Sequence, residues 1–464
     1  MRSRFLAILA MQFILGGTTI AAAAETGAPA PVARVGSSEK ICQLTGDTDW
    51  ETGQPTAAGT FRNFGLDGTD LGYPVEHAGK LILLFGDSWP PRHPGGAAGV
   101  IPPDDAVGVI ERRAPPGNDG QCLELQVHQK PGPAKVLAPP TVTGPFPVKQ
   151  GFFNVPSGGV SVAGGLYAFF FTDHCAPPTR LEPSSDQPLV RPRPSAGCPE
   201  NDDRNSIGRG VLARSDDDGR TFTGVVPMPA GFVYSTAINT GLLADLPEQQ
   251  RLGVFVFGVA RYRAGVPYLA QAPIETFANP ATWRFFTGRA ADGQPKWVTQ
   301  PEWMGAAGAR DIRNQVGWRP PGEPEILGAA IGAEHCIGEF SITWNRPLRL
   351  WLMLYNCPGG VEARVASAPW GPWSTPTKLL GEEEDVGCRL VMIPQGCGSS
   401  RDFWPGRQKG GRHVAGGFYA PYVLNRYTTA GSGGSRSSTI YWLLSTWNPY
   451  EVTVMRSTLA LDSR

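Results

Sequence analysis

Two aspartates, Asp70 and Asp87, sit at the ends of the stretch GTDLGYPVEHAGKLILLFGDSW, residues 68–89. The stretch reads as two strands joined by a two-residue turn at Ala78-Gly79. Antiparallel partners across such a turn have residue numbers that add to 157, as 70 and 87 do, so the carboxylates are expected to be direct cross-strand neighbours. Side chains so placed have Cβ atoms about 4.5–5.5 Å apart, and like charges there oppose folding. Glycoside hydrolysis needs such a pair: one protonated carboxyl for the leaving oxygen, and one carboxylate as nucleophile or as base on a water. Closeness itself drives the two pKa values apart, so one group holds its proton while the other is charged. The plainer reading is two turn aspartates that end strands, since GD and TD are common terminators. A longer turn would also move the register.

Strands are the elements that must position this pair. The chain of 464 residues has almost no sustained 3.6-residue periodicity, whereas runs of Val, Ile, Leu, Phe, Tyr and Trp bounded by Gly, Pro, Asn or Asp recur throughout. With 59 glycines and 45 prolines, turns between short strands are frequent. One unit repeats: a Gly-rich strand, a turn, then an apolar strand ending in a polar or aromatic cluster. It occurs as DLGYPVEHAGKLILLFGDSW, NVPSGGVSVAGGLYAFFFTDH, NTGLLADLPEQQRLGVFVFGVARY, IGEFSITWNRPLRLWLMLYNC, and GFYAPYVLNRY with STIYWLLSTWN, starting near residues 70, 154, 239, 337 and 417. A third strand follows each: AVGVIE, GVLARS, PYLAQA, EARVAS and EVTVMRS. Five such meanders predict an all-β chain forming a single-domain five-bladed β-propeller with loop insertions, with two stacked β-sandwiches as the alternative. The segment SDDDGRTF, residues 215–222, fits the S-x-D-x-G-x-T-F turn called an Asp box in sialidase-like propellers. Its Asp and Gly make a tight turn and its aromatic packs inward, so its acids are given no catalytic role.

In a propeller the start of each first strand and the end of each second strand lie at one end of the hairpin, so matching positions of all blades share a face. Beside Asp70 and Asp87 that face is expected to carry Asn154, Asp173, His174, Tyr419, Trp447 and Asn448 as substrate-binding candidates. Trp89 offers either a flat apolar surface for a sugar ring or packing for its blade. Glu339, which opens the fourth unit in GEFSITWN, is a third candidate catalytic acid: it can raise a partner's pKa or donate a proton, the alternative being an ordinary strand-end glutamate. The Pro-rich insert from Cys175 to Cys198 leaves from the same end, either as a disulfide-tied wall of a groove or as a tolerated surface insertion. NVPSGGV is followed by no helix and is not a nucleophile elbow, and GSGGS at Gly431 lies between strands without a phosphate-binding context. His335 reads as the flank of a disulfide.

The N-terminal MRSRFLAILAMQFILGGTTIAAAAETG has two arginines, an apolar run and small residues, which predicts a signal peptide over 1–24. An N-terminal extension over 25–45 and the propeller over 46–464 are expected to follow. The apolar core, Phe5 to Leu15, is too short to span a bilayer, and no cysteine follows the cleavage point to carry a lipid, so a secreted or periplasmic protein without a membrane anchor is expected. Eight cysteines in an exported chain fit disulfides. Local pairing gives Cys175–Cys198, Cys336–Cys357 and Cys388–Cys397 and leaves Cys42 with Cys122, although spacing alone does not fix the connectivity. No C-x-x-C pair occurs and the six histidines lack zincin spacing, so neither a metal nor another cofactor is expected. With 41 basic and 41 acidic residues and no long basic run, the charge pattern excludes a nucleic-acid binder, and a neutral polymer is the expected partner of a monomeric chain.

The segments GTDLGYPVEHAGKLILLFGDSW, NVPSGGVSVAGGLYAFFF, VLARSDDDGRTF, GGFYAPYVLNRY and YWLLSTWNPYEVTVMRS resemble the secreted five-bladed propeller family that includes the mycobacterial-cell-wall endo-D-arabinanases. The resemblance runs from about Gly46 to the C-terminus, and the TDLG…GDSW pair is its most specific part. It implies a glycoside hydrolase with Asp70 and Asp87 catalytic, acting on a furanoside polysaccharide, foremost the α-D-arabinan of bacterial cell-wall arabinogalactan or lipoarabinomannan. The Cys175 to Cys198 insert and Ser88-Trp89 depart from the family's pattern and bear on the substrate more than on the fold. The competing expectation is a non-catalytic carbohydrate-binding or scaffold propeller; retention of both aspartates favours the enzyme.

Overall fold

The run Leu81 to Phe85 is buried at every position rather than at alternate ones. A strand covered on both faces has no solvent side, so its sequence reads as continuously apolar. In the computed structural model those faces are covered by neighbouring blades: five small sheets form a five-bladed β-propeller. The structure describes residues 33–89, 104–118, 120–132, 138–144, 155–173, 207–260, 263, 265–308, 320–322, 324, 326–327, 336–381, 417–432, 436–447 and 449–461.

From the inside outward, blade one is Leu71–His77, Lys80–Ser88, Asp104–Ile110 and Gln126–Val127. Blade two is Val155–Val162, Gly165–Asp173, Ile207–Ser215 and Thr221–Pro227, with Thr141–Val142 parallel at its edge. Blade three is Tyr234–Asn239, Val254–Val259, Tyr268–Ala272, Arg284–Arg289 and Pro295–Thr299. Blade four is Phe340–Asn345, Leu350–Cys357, Gly360–Ala366 and Thr377–Gly381. Blade five is Gly417–Val423, Ser437–Trp447, Glu451–Leu461 and, outermost, Ala33–Gln43. The innermost strands touch in the order one, two, three, four, five and back to one, which closes the ring. Apolar layers fill the gaps between blades: Leu352, Val365, Trp442 and Leu444 pack between blades four and five, and Phe169, Phe232, Val256 and Trp283 between two and three.

All five third strands lie where the repeat places them. The third unit is shifted: its inner strand is Tyr234–Asn239, upstream of the segment that the repeat singled out. The Asn239 side chain accepts from the Gly241 backbone N–H and ends that strand, and the following TGLLADLPEQQ forms two 3-10 turns, Thr240–Leu242 and Glu248–Gln250, instead of a strand. The Asp box is structural, as expected. Ser215 Oγ donates to Asp217 at 2.8 Å, the Thr221 N–H donates to Asp217 at 2.8 Å, Gly219 takes φ +86°, and Phe222 is fully buried.

Ring closure brings the chain ends together. Ala33–Gln43, within the segment read as an N-terminal extension, pairs antiparallel with Glu451–Leu461 and so belongs to the propeller. Sequence could not show this, because the strand is separated from the repeat that it completes. The Cys42–Cys122 disulfide, with Cα atoms 5.8 Å apart, then ties this outermost strand of blade five to blade one. Cys336–Cys357 braces blade four, while Cys175, Cys198, Cys388 and Cys397, expected to pair locally, lie outside the described residues. No helix among the described residues is long and apolar enough to cross a membrane.

A disulfide with a sequence separation of 80 restricts the unfolded chain strongly. Replacing Cys42 and Cys122 together by Ala is therefore expected to lower unfolding free energy by about 2–4 kcal/mol. Urea unfolding followed by tryptophan fluorescence measures it; an unchanged midpoint would mean that closure rests on strand pairing alone.

Candidate active site

The Ala78-Gly79 turn forms as predicted, with Ala78 at φ +47° and Gly79 at +82°, and the register that adds to 157 holds from His77–Lys80 to Tyr73–Leu84. It then slips. Leu71 and Gly72 both adopt left-handed backbone, at φ +61° and +75°, and form a bulge after which Leu71 pairs with Phe85. Asp70 consequently faces Gly86, whose N–H donates to the Asp70 carbonyl at 3.1 Å, so it is not the direct cross-strand partner of Asp87. A bulge re-aims the side chains beside it. Here it turns the Asp70 carboxyl inward over Gly86, where an added Cβ would lie 2.5 Å from Asp70 Oδ1. Asp70 is buried and Asp87 is partly exposed, so one hairpin end holds two carboxyls at different depths.

Blade five supplies the donors. Tyr419 Oη donates to Asp70 Oδ2 at 2.7 Å, and Tyr450 Oη lies 2.9 Å from the same oxygen and 3.2 Å from Asp87 Oδ2. Tyr450 is fixed by its backbone, its carbonyl accepting from the Thr69 N–H at 3.1 Å, and by the edge of Trp89 with ring centroids 6.3 Å apart. The other Asp70 oxygen, Oδ1, is buried without a hydrogen-bond partner among the described residues. Tyr419, like Asp70, is followed by a non-glycine residue in left-handed backbone, Ala420 at φ +55°. Residues held this way cost about 1–3 kcal/mol each and cluster at functional sites.

Glu339 is almost wholly buried and both of its oxygens are engaged. Arg263 Nε donates to Oε1 and Oε2 at 3.0 Å each, and Nη2 donates to Oε1 at 2.6 Å. The guanidinium also lies 4.7 Å from the centre of the Tyr419 ring. Of the two roles open to Glu339, this geometry supports raising a partner's pKa rather than donating a proton.

These contacts set the proton affinities. Burial, then the charge of Asp87, push the Asp70 carboxyl well above the ordinary 3.8; the phenol bonds oppose this and Glu339 adds to it. Burial raises Asp87 to about 6 against the Tyr450 bond. Burial, then the two carboxylates, push the Tyr450 phenol well up, so it stays a neutral donor. The arrangement can hold one proton on a buried acid beside a more accessible carboxylate at neutral pH.

Of the residues predicted from sequence, the structure brings Asp70, Asp87, Tyr419 and Trp89 together, with Glu339 behind Tyr419. Asp173 and Trp447 end their strands at the expected hairpin ends in the backbone, with side chains outside the described residues. Asn154, His174 and Asn448 lie outside the described residues altogether. Sequence reasoning missed Tyr450 and Arg263. The same end-of-hairpin rule, applied to the start of the third strand and to the loop after the second, reaches both. Among the described residues no group of three or more His, Cys, Asp and Glu side chains is placed to hold a metal ion.

The family model described as Domain of unknown function (DUF4185) matches residues 209–456. No curated protein matches the sequence. The chain is similar to a solved structure of a candidate hydrolase from Bacteroides ovatus at 10% identity and a TM-score of 0.47, covering 86% of this chain and 87% of that one. It is similar to a protein of unknown function from Dyadobacter fermentans at 11% identity and a TM-score of 0.40, covering 93% and 99%. It is also similar to an exo-beta-1,3-galactanase from Phanerochaete chrysosporium at 10% identity and a TM-score of 0.32, covering 91% and 100%. Likeness at this level leaves the chemistry to be argued from the site.

The raised carboxyls carry a pH signature. Both bind protons in the folded chain that the unfolded chain releases, so their contribution to stability is complete below about pH 4. It is lost as pH rises through the folded values, about 6 for Asp87 and well above 3.8 for Asp70. Asp70→Asn is therefore expected to melt above the unaltered protein at about pH 8, with the margin shrinking towards about pH 4.5. Calorimetry at the two pH values checks this, and a margin independent of pH would contradict the shift.

Proposed function

The chain belongs to the DUF4185 family, whose description assigns no activity, and from the chemistry of the site we propose that it is a secreted or periplasmic glycoside hydrolase acting through Asp70 and Asp87. The observation that carries the reading is the carboxyl pair at one hairpin end, Asp70 buried and Asp87 partly exposed, joined by the Tyr450 phenol. Folding alone gains nothing from two acids pushed together, whereas a two-carboxylate hydrolysis requires one group protonated and the other charged. Asp87, the more exposed member, is the carboxylate that meets substrate; Asp70 holds the proton.

The finer reading is endo-cleavage of α-D-arabinan, and it rests on the sequence resemblance carried by the TDLG…GDSW pair. Trp89, half-buried at the rim of the carboxyl pair, can present a ring face to a furanose, whereas Tyr419 is buried and serves by holding Asp70. Asn154, Asp173, His174, Trp447 and Asn448 remain the proposed lining at the same hairpin ends.

Incubating the purified protein with D-arabinan and, separately, with L-arabinan, then resolving products by size, tests both levels. Oligomers from D-arabinan alone are the expected result; no cleavage of either polymer removes the substrate assignment. Asp70→Asn and Asp87→Asn keep side-chain size but cannot hold or accept the proton, and each is expected to lower turnover about 100- to 10,000-fold with the fold intact. Rates like those of the unaltered protein in either variant would take that aspartate out of the mechanism.

A further inference from the structure

Tyr450 stands between the two acids, and its place in the proposed reaction follows from counting hydrogens. A phenol hydroxyl has one hydrogen to donate, yet Tyr450 Oη is within hydrogen-bond reach of both Asp70 Oδ2 and Asp87 Oδ2, at 2.9 and 3.2 Å. Only one of those contacts can use the phenol's hydrogen, so the other needs a hydrogen on the carboxyl. The bridge is complete when the pair of acids holds one proton. With both ionised, one contact sets lone pair against lone pair; with both protonated, at least one acid hydrogen is left without this partner.

We propose that Tyr450 is a positioning residue that lets Asp70 and Asp87 share one proton, handing its own hydrogen to one carboxylate as it takes a hydrogen from the other. In the first arrangement Asp70 carries the proton on Oδ2 and donates to Tyr450 Oη, while the Tyr450 O–H donates to ionised Asp87. In the second the Tyr450 O–H donates to ionised Asp70, and Asp87 carries the proton and donates to Tyr450 Oη. Passing from the first to the second breaks the O–H bonds at Asp70 and at Tyr450, and forms one at Tyr450 and one at Asp87. Two protons each move across one hydrogen bond, net charge is unchanged, and no other reagent is needed. Asp87 can thus be charged at one step and protonated at the next while the buried Asp70 stores the proton.

The surroundings favour this sharing. Tyr419 donates to Asp70 Oδ2 in both arrangements. Glu339 is the further acid that acts on Asp70, and Arg263 is bound to it through both carboxylate oxygens; among the described residues the hydrogen bonds to the two aspartate side chains come from phenols. Tyr422 and Tyr73 face the same interior as neutral phenols, pushed up by burial. The Thr69 N–H to Tyr450 carbonyl bond and the Trp89 edge contact hold the phenol without engaging its hydroxyl, so Tyr450→Phe keeps both.

The inference takes the same carboxyl pair that the proposed function uses, but its test does not require turnover. Carboxyl carbon-13 resonances of Asp70 and Asp87 are to be titrated in the full chain, in Tyr450→Phe and in Tyr419→Phe, with Asp70→Asn and Asp87→Asn giving the assignments. Loss of a hydrogen bond to the ionised form raises a carboxyl by about one pH unit. Tyr450→Phe is expected to raise both aspartates by about that amount, and Tyr419→Phe to raise Asp70 and leave Asp87 within a small fraction of it. A Tyr450→Phe shift confined to one aspartate, or absent from both, overturns the sharing. If Tyr450→Phe does not fold, Asp70→Asn decides: Asp87 is then expected to titrate in one step nearer the ordinary carboxylate range, and an unmoved Asp87 overturns the proposal. Should the shifts appear while neither arabinan is cleaved, the proton bridge stands and the hydrolase reading fails.

Discussion

Closure of the ring between blades five and one is the constraint on which this structure depends. Asp70 and Asp87 belong to blade one, and the hydroxyls that hold them, from Tyr419 and Tyr450, belong to blade five. Each of these bonds crosses the join, where the inner strands of blades five and one meet and where Ala33–Gln43, paired with Glu451–Leu461, completes blade five. The join is stitched several times: by the Cys42–Cys122 disulfide, by the Thr69 N–H to the Tyr450 carbonyl, and by Ser445 Oγ to the Leu71 carbonyl at 3.2 Å. A buried acid beside a second, partly buried one opposes folding, and these contacts, with the apolar layers between blades, help to offset it.

Depth creates the asymmetry within the pair. Had the hairpin register run unbroken, Asp70 and Asp87 would face each other as equivalent strand-end acids. The bulge at Leu71-Gly72 shifts Asp70 onto Gly86, and the absent side chain there gives its carboxyl a recess in the interior. Asp87 stays nearer the surface. A small backbone irregularity therefore does what a change of residue type would otherwise have to do: it gives two identical side chains different proton affinities.

Much of this is legible in the sequence. Continuous apolar runs and recurrent turns place five meanders, the Ala78-Gly79 turn is where the repeat puts it, and the hairpin-end rule gathers Asp70, Asp87 and Tyr419. What escaped has physical reasons. The left-handed backbone at Leu71 is disfavoured for a leucine, so no local preference announces the bulge. The closing strand 33–43 lacks a repeat of its own because its hairpin partners lie at the far end of the chain. Tyr450 reads as part of a strand approach, NPYEV, and its meaning appears only when blade five meets blade one. The inner strand of the third blade escapes the sequence because TGLLADL has a strand's composition, although the Asn239 cap turns it into a 3-10 bend.

The choice of phenols over cations at the join follows from the same electrostatics. A buried carboxylate is most simply satisfied by Arg or Lys, and a guanidinium lies close by, with Arg263 only 4.7 Å from the Tyr419 ring centre. A guanidinium bonded to Asp70 would hold it ionised and draw its pKa below the usual range, which would leave the pair with no acid. Glu339 prevents this by taking Arg263 in a two-pronged ion pair and keeping it beside the ring rather than on the acid. Tyr419 and Tyr450 then bond Asp70 Oδ2 with neutral hydroxyls, which stabilise a carboxylate more weakly and leave burial to prevail. Glu339 thus acts at a distance: by pairing with Arg263 and adding its own negative charge, it favours the protonated form of Asp70.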